Sequence, residues 1–373
     1  MGGNNNKNLL WLILLEILKN KKVKIVLIST LTITLLLTLV ITISVLHSIH
    51  KSEFEHKEAI DLGSIMIQGS QGAIGFNKES MTQDFQLKTR GFTNSLQINS
   101  ERNSLIFSYG LVAKFYPYAY FSGFVEINEQ GEDTKYRLSR DHDFSPVSDN
   151  FHVYQDFILT VSSSVLGNEI GIFDLDAEEF VKRQEVNGDC QSLTGLNEQA
   201  YVSCENRDGD TTIYEIDLIQ FTIEEMVQER NTRLVDMALT VEHGLLAAVI
   251  QNDRYFLTQI DDTSVQKLTR MVDTEITQIA ANENSVYMLK EDLGYEENTR
   301  YVASYDFEME DHEMVSLEDD IATIDIEVVD EHIYVISRDF DMGYYLLVMN
   351  HDLEITNKYQ LENISPWRVV VEP

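Results

Sequence analysis

Seven acid or amide residues recur at near-constant intervals down this chain, each closing a short run of β-forming side chains. Asn128, Asp174, Asp217, Asp261, Asp306 and Asn350 follow one another at spacings of 46, 43, 44, 45 and 44, and Asn77 stands 51 residues before the first. The runs they close include Ile74-Gly75-Phe76, Val125-Glu126-Ile127, Ile172-Phe173, Tyr214-Glu215-Ile216 and Leu347-Val348-Met349. A four-stranded unit of about 40 to 50 residues cannot bury its own faces, so repeats of that length stack around a ring as the blades of a β-propeller. The closing residues themselves are expected to cap their strands by bonding backbone N–H groups.

Each period reads as strand A, a turn, strand B, a loop, strand C ending at the ladder residue, then strand D. Strand B is marked by Leu105-Ile106-Phe107, Phe157-Ile158-Leu159, Ala200-Tyr201-Val202, Leu245-Leu246-Ala247, Val286-Tyr287-Met288 and Ile333-Tyr334-Val335. These residues suit a strand buried between stacked sheets. Strand A falls near Ser192-Leu193, Asp236-Met237, Gln278-Ile279 and Asp325-Ile326, and one period later at Trp367-Arg368-Val369-Val370-Val371. The C-terminus thus supplies strand A of a further blade. Residues 63–92 hold the missing strands B, C and D, so both ends complete one blade and protect its edges. The expected fold is all-β, a seven-bladed β-propeller over residues 63–373. Six and eight are the alternative counts because the first blades are irregular. The pattern resembles bacterial propellers of the YVTN or WD-repeat-like kind, although no Gly-His or Trp-Asp signature is present.

Ahead of the repeats, residues 25–46 (IVLISTLTITLLLTLVITISVL) contain no charge, Gly or Pro. At about 1.5 Å per residue they can span a hydrocarbon core of about 30 Å as one transmembrane helix. Lys19, Lys21, Lys22 and Lys24 precede it, whereas Lys51 and Lys57 are mixed with Glu53, Glu55 and Glu58 after it. Positive charge stays inside, so the N-terminus is expected in the cytoplasm and the repeats outside the cell membrane. The run exceeds the usual signal-peptide core of about 7–15 residues and no small-x-small site follows Val45-Leu46-His47, which favours an uncleaved anchor. The shorter apolar stretch Leu9–Leu18 is read as an interfacial helix with Trp11 at head-group depth. The chain then divides into 1–24, a cytoplasmic N-terminus; 25–46, the span; 47–62, a juxtamembrane linker; and 63–373, the extracytoplasmic propeller. Residues 8–50 resemble the N-terminus of ABC permeases of the macrolide-exporter type. No later span accompanies them, so the resemblance implies association with such a transporter and carries over no permease pathway.

Charge separates the same segments. The 373 residues carry a formal −34, of which residues 1–50 contribute +4, residues 51–140 −1, and residues 141–373 −37 from 13 basic and 50 acidic side chains. Such a surface repels phosphate, so a nucleic-acid partner is not expected, while a basic protein or peptide is favoured. Solubility of an exported domain is the plain alternative reason for the acidity. The two cysteines, Cys190 and Cys204, flank the A–B turn of the third period with Asn197 midway. That places them opposite one another on antiparallel strands, within reach of a disulfide in an oxidising compartment, with two buried thiols as the alternative. Two cysteines alone do not make a zinc site.

In a propeller the B–C and D–A connections share one face, so the B–C loops are where binding residues are expected. The first of these crowds Phe115, Tyr116, Tyr118, Tyr120 and Phe121 around Pro117. So much aromatic area must be buried somewhere, against a partner, a glycan or lipid, or by folding back on the propeller itself. Asp208 with Asp210, and Asp339 with Asp341, offer hard oxygen ligands as a calcium site would. Neither pair matches the twelve-residue calcium loop, and hairpin turns favour Asp on their own account. The histidines are scattered, and no H-E-x-x-H, G-x-S-x-G or phosphate-loop motif is present, so no catalytic residue and no cofactor are assigned. The leading expectation is a non-enzymatic, membrane-anchored bacterial propeller that binds or scaffolds a protein or basic peptide. The alternatives are an accessory subunit of an ABC exporter, and a metal-dependent hydrolase or lyase with ligands gathered in the central channel.

Overall fold

Each period of the sequence folds into one antiparallel sheet in the computed structural model. It describes residues 32, 33, 36, 38, 54–55, 64–69, 72–77, 80–89, 92–112, 120–138, 151–164, 167–261, 264–272, 274–293, 298–307, 312–317, 322–339, 341–362 and 364–371. The expected span, the interfacial helix and the permease-like stretch therefore lie almost wholly outside the described residues. Thr32, Ile33, Leu36 and Thr38 are helical, and among the described residues no helix is long and apolar enough to cross a membrane.

After the two-residue strand β1 (Phe54–Glu55) come β2 (Ser64–Gly69), β3 (Gly72–Asn77) and β4 (Gln83–Thr89). Blade 1 is built from β5 (Phe92–Asn99), β6 (Ser104–Val112), β7 (Tyr120–Asn128) and β8 (Asp133–Arg137). Blade 2 follows with β9 (His152–Tyr154), β10 (Phe157–Ser164), β11 (Gly167–Asp174) and β12 (Glu179–Val186), and blade 3 with β13 (Asp189–Leu196), β14 (Gln199–Glu205), β15 (Thr211–Asp217) and β16 (Thr222–Glu229). Blade 4 contains β17 (Thr232–Thr240), β18 (Gly244–Gln251), β19 (Arg254–Asp261) and β20 (Ser264–Val272). Blade 5 contains β21 (Glu275–Ala281), β22 (Ser285–Leu293), β23 (Asn298–Asp306) and β24 (His312–Leu317), and blade 6 contains β25 (Ala322–Val329), β26 (His332–Arg338), β27 (Tyr344–Met349) and β28 (Ile355–Leu361). The C-terminal strand β29 (Pro366–Val371) then pairs antiparallel with β2, Ile65 opposite Val371 and Ile67 opposite Val369.

Blade 7 is thus made from both ends of the sequence, in the order β29-β2-β3-β4, and the count of blades is seven. Within the expected linker 47–62, Phe54 and Glu55 pair with Thr89 and Lys88 and add β1 outside β4. The blade's outer edge offers unpaired backbone groups, and a short neighbouring segment satisfies some of them.

Seven clusters of buried apolar side chains lie between the sheets, each drawn from two successive blades. Met66, Ala73 and Leu87 of blade 7 meet Leu96, Leu105 and Phe107 of blade 1, and at the other side Ile65, Ile67 and Val369 meet Tyr334, Ile336 and Leu346 of blade 6. The strand patterns follow from this stacking. Strand β14, covered on both faces, is buried from Ala200 to Cys204, whereas the outermost strand β12 alternates between exposed and half-buried residues along its whole length. At the blade 2 to blade 3 contact the His152 ring lies against Gly195, where an added Cβ would sit 2.4 Å from it.

The recurrent acids and amides end strand C. Asp174 Oδ1 accepts from the N–H groups of Asp176 and Ala177 at 2.9 Å each, and Asp217 Oδ1 from those of Ile219 and Gln220 at 2.8 Å each. Asn77, Asn128 and Asn350 do the same with the N–H groups of Ser80, Glu132 and Glu354. The turns differ, since Asp174 and Asp217 accept from residues two and three on whereas Asn128 and Asn350 accept from the residue four on and also donate Nδ2 to its carboxylate, but each uses a side-chain oxygen as acceptor.

Candidate functional site: the central channel

The innermost strand of a blade has only one paired edge, and its other row of backbone groups faces the channel. In six blades this strand carries a β-bulge at the same place. The register shifts between Thr93 and Ser95, Cys190 and Ser192, Leu234 and Asp236, Ile276 and Gln278, and Thr323 and Asp325, and on β29 between Pro366 and Arg368. A bulge re-aims the side chain beside it. Ser95, Ser192, Asp236, Gln278, Asp325 and Arg368 therefore occupy one level of the ring. The matching level of blade 2 falls among residues 139–150, outside the described residues.

These side chains connect blade to blade. Ser192 Oγ donates to Asp236 Oδ1 (3.4 Å), and Asp236 Oδ2 accepts from the N–H of Ile279 (3.0 Å) on blade 5. Gln278 Nε2 donates to Asp325 Oδ1 (3.0 Å), and Asp325 Oδ2 accepts from the N–H of Val369 (2.7 Å) on β29. Arg368 Nη1 donates to Ser95 Oγ (2.5 Å). Two aspartates two blades apart thus perform one task, accepting from an otherwise unpaired inner-edge N–H of the next blade. One step deeper, Gln97 bridges to β9 and its approach, donating to Phe151 O (2.5 Å) and accepting from the N–H of Val153 (2.9 Å).

Glu327 lies two residues beyond Asp325 and so on the same face of β25. Their cross-strand partners Tyr334 and Ile336 pack against blade 7, which places both carboxylates at the seam with β29. All three channel acids are held above the ordinary carboxylate range. Burial in the channel wall is the main cause for each, raising Asp236 to about 6, Asp325 to about 7 and Glu327 to about 8. The Arg368 charge opposes this at every one of them, while Asp325 and Asp236 push Glu327 further up. The arrangement sets three half-exposed acids around the charge of one arginine. It does not assemble a metal centre: among the described residues no set of three His, Cys, Asp or Glu side chains is placed to hold an ion.

A second charged cluster sits at the A–B and C–D turns, at the contact of blades 1 and 2. Arg102, in the β5–β6 turn, donates to Glu126 Oε1 (2.8 Å), Asp156 Oδ1 (2.5 Å) and Asp176 Oδ1 (2.8 Å). Glu126 is buried and also accepts from Ser104 Oγ (2.8 Å) and Tyr136 Oη (2.9 Å). Burial pushes its carboxyl up, but the bonds from Arg102, Ser104 and Tyr136 outweigh that and hold it below the usual range.

Of the binding residues expected from the loops, Phe115, Tyr116 and Tyr118 lie outside the described residues, and Tyr120 and Phe121 begin β7. Asp208 and Asp210 stand in the β14–β15 turn of blade 3, Asp339 and Asp341 in the β26–β27 turn of blade 6. Blades 3 and 6 are three positions apart in a ring of seven, so the two pairs are not brought together. Asp339 is engaged within its own turn, accepting from the N–H of Gly343 (2.6 Å) and from Tyr345 Oη (2.9 Å). Cys190 and Cys204 are directly opposed on β13 and β14 and joined by a disulfide, with Cα atoms 3.8 Å apart. The sequence places Ser192, Asp236, Gln278, Asp325 and Arg368 in successive strands A but does not mark them as a channel-facing level. Its signal was a polar residue in strand A at spacings of 44, 42, 47 and 43 from Ser192 to Arg368.

No family model matches the chain. No curated protein sequence matches it either. Solved propellers do. The β-propeller domain of the Trilobed protease from Pyrococcus furiosus, described as having an open velcro topology, is similar at a TM-score of 0.50 and 11% identity over 84% of this chain and 97% of that one. KlAtg21, in its complex with the coiled-coil of AgAtg16, gives a TM-score of 0.54 and 10% identity over 82% and 98%. The dihydro-heme d1 dehydrogenase NirN gives 0.54 and 10% over 84% and 67%. One of these is part of a protease, one is bound to a coiled coil and one is a dehydrogenase. At such identities the likeness establishes the propeller fold alone.

Proposed function

We propose that the chain is a membrane-anchored, extracytoplasmic propeller that binds a basic protein or peptide and performs no catalysis. The observation that carries this reading is the concentration of charge: residues 141–373, from the end of blade 1 to the closing strand, hold −37 of the total −34, the remainder of the chain being net positive. A rigid ring of that sign attracts cationic partners at long range and accelerates their encounter. The apolar, uncharged run 25–46 with lysines on its N-terminal side supports the anchor and the outward orientation. The channel aspartates accept inner-strand N–H groups, which gives them a structural use that does not depend on a substrate. A propeller held by a coiled coil, as in the KlAtg21 complex, is a precedent for the class of partner.

The test is binding of the full chain, in lipid nanodiscs, to a lysine- and arginine-rich helical peptide and to its glutamate-rich counterpart at low and high salt. Saturable binding of the basic peptide alone, weakening as salt screens the charges, is the expected result. Equal binding of both peptides, or none at low salt, would remove the proposal.

A further inference from the structure

We propose that the channel takes up a guanidinium group, an arginine side chain of the basic partner, between acceptors on blades 4 to 6 and the indole of Trp367 on the closing strand. The site depends on the reading above that the partner is basic, and it gives that partner a point of entry. Three successive blades turn acceptors to this level: Asp236 from blade 4, Gln278 Oε1 from blade 5, and Asp325 and Glu327 from blade 6. Gln278 Oε1 has no hydrogen-bond partner, while the Nε2 of the same amide donates to Asp325.

The donors that reach Asp236 and Asp325 are neutral: Ser192 Oγ and the Ile279 N–H for the first, Gln278 Nε2 and the Val369 N–H for the second. Such bonds favour the ionised carboxylate and fix its position. Arg368, the cation of this level, bonds Ser95 of blade 1, and among the described residues no lysine or arginine forms an ion pair with Asp236, Asp325 or Glu327. All three acids are half-buried and so within reach of a solute in the channel. They are not placed to close on one metal ion. A guanidinium carries five N–H donors in one plane and can serve separated acceptors that a point charge cannot. Trp367 is the second, independent feature. It is the bulged residue between Pro366 and Arg368 and is 37% exposed. The faces of β29 pack against blades 6 and 1 and its outer edge pairs with β2, so the exposed indole opens on the channel or its rim. Arginine is the side chain that stacks on such a ring, within about 6 Å of its centre.

Trp367 also reports on the site. The chain has two tryptophans, so Trp11→Phe leaves Trp367 as its one indole. This full-length variant, in lipid nanodiscs at about pH 8 and low salt, is titrated with a labelled arginine-rich peptide and with its lysine-for-arginine counterpart, both free of tryptophan. Peptide anisotropy reads binding, and indole emission reads the site. Saturable binding of the arginine peptide with a change in Trp367 emission at the same midpoint is the expected result, the lysine peptide being weaker by about fivefold. Glu327→Gln, which leaves the Val369 and Ile279 bonds in place, should weaken the arginine peptide by about tenfold. Binding without an emission change, equal affinity for the two peptides, or affinity undiminished in Glu327→Gln overturns the channel site and leaves the basic-partner reading standing. Binding of neither peptide removes that reading and the site with it. If Glu327→Gln does not fold, the emission change and the arginine-to-lysine ratio decide.

Discussion

Two clusters in this ring each set one arginine among three carboxylates, and they come out with opposite chemistry. At the contact of blades 1 and 2, Glu126 is buried yet held below the usual range, because Arg102, Ser104 and Tyr136 all donate directly to its oxygens. In the channel, burial raises Asp325 and Glu327, and Arg368, which donates to Ser95, opposes it only through space. The ratio of charges is the same. What differs is that Arg102 bonds its acid directly whereas the donors on Asp236 and Asp325 are neutral, and contact with the cation decides whether burial or pairing dominates. The first cluster is a latch between blades; the second is a set of channel acids that the cation does not touch.

The largest effect expected from this contrast is at the latch. Arg102→Met keeps most of the side chain's apolar stem but strands the Glu126 carboxylate in a buried site. Breaking one partner of such a pair costs about 3 kcal/mol, which denaturant unfolding of the full chain would show as a shift in midpoint. Arg368→Met faces acids that hold their protons more readily, so its cost should be smaller at pH 5 than at pH 8, whereas the Arg102→Met cost should change little over that interval. Equal pH dependence in the two variants would erase the distinction between the clusters.

A second comparison uses the acids themselves. Glu126→Gln removes charge-assisted bonds from a site built around them and should destabilise by about 2 kcal/mol. Glu327→Gln removes a charge the fold resists and should stabilise at pH 8, with the gain fading toward pH 5. The signs for the unmodified chain are fixed in the same way. The raised channel acids cost stability as pH climbs from about 4 to 8, and the lowered Glu126 loses its contribution as pH falls below about 4.5. His152 is lowered by burial despite its hydrogen bond to Asn197 O, so its contribution is lost as pH falls through about 6.5. Thermal scans should find the optimum on the acid side of neutrality, near pH 5, and an optimum above pH 8 would contradict the assignment.

The propeller was legible because its repeats are local. A strand ending in Asp or Asn every 44 residues or so is a pattern within the one-dimensional sequence, and so is an apolar strand B. Even the joining of both ends could be read, since Trp367 to Val371 falls where the next strand A is due. The channel was not legible. Asp236 and Asp325 fall in strands A at a regular spacing, but only the bulges, which leave no residue signature, turn them to one level of the channel. The Arg102 latch joins residues 24, 54 and 74 apart, across a blade boundary that single-sequence reasoning cannot register. Acidity drew attention to exposed turns instead, where Asp339 proved to be engaged in its own hairpin.

The smallest effect belongs to the ladder, and it isolates donor geometry from charge altogether. Asp217 Oδ1 accepts from two backbone N–H groups, and Asn77, Asn128 and Asn350 accept backbone N–H groups of their own turns with an amide oxygen. If direct donors govern these sites, Asp217→Asn should be neutral within about 0.5 kcal/mol, as is usual for a surface change that keeps its contacts. Asp217→Ala, which frees both N–H groups, should cost about 1 kcal/mol. Equilibrium unfolding of the three proteins side by side resolves the difference. Were asparagine as costly as alanine here, the charge and not the oxygen would be holding the turn.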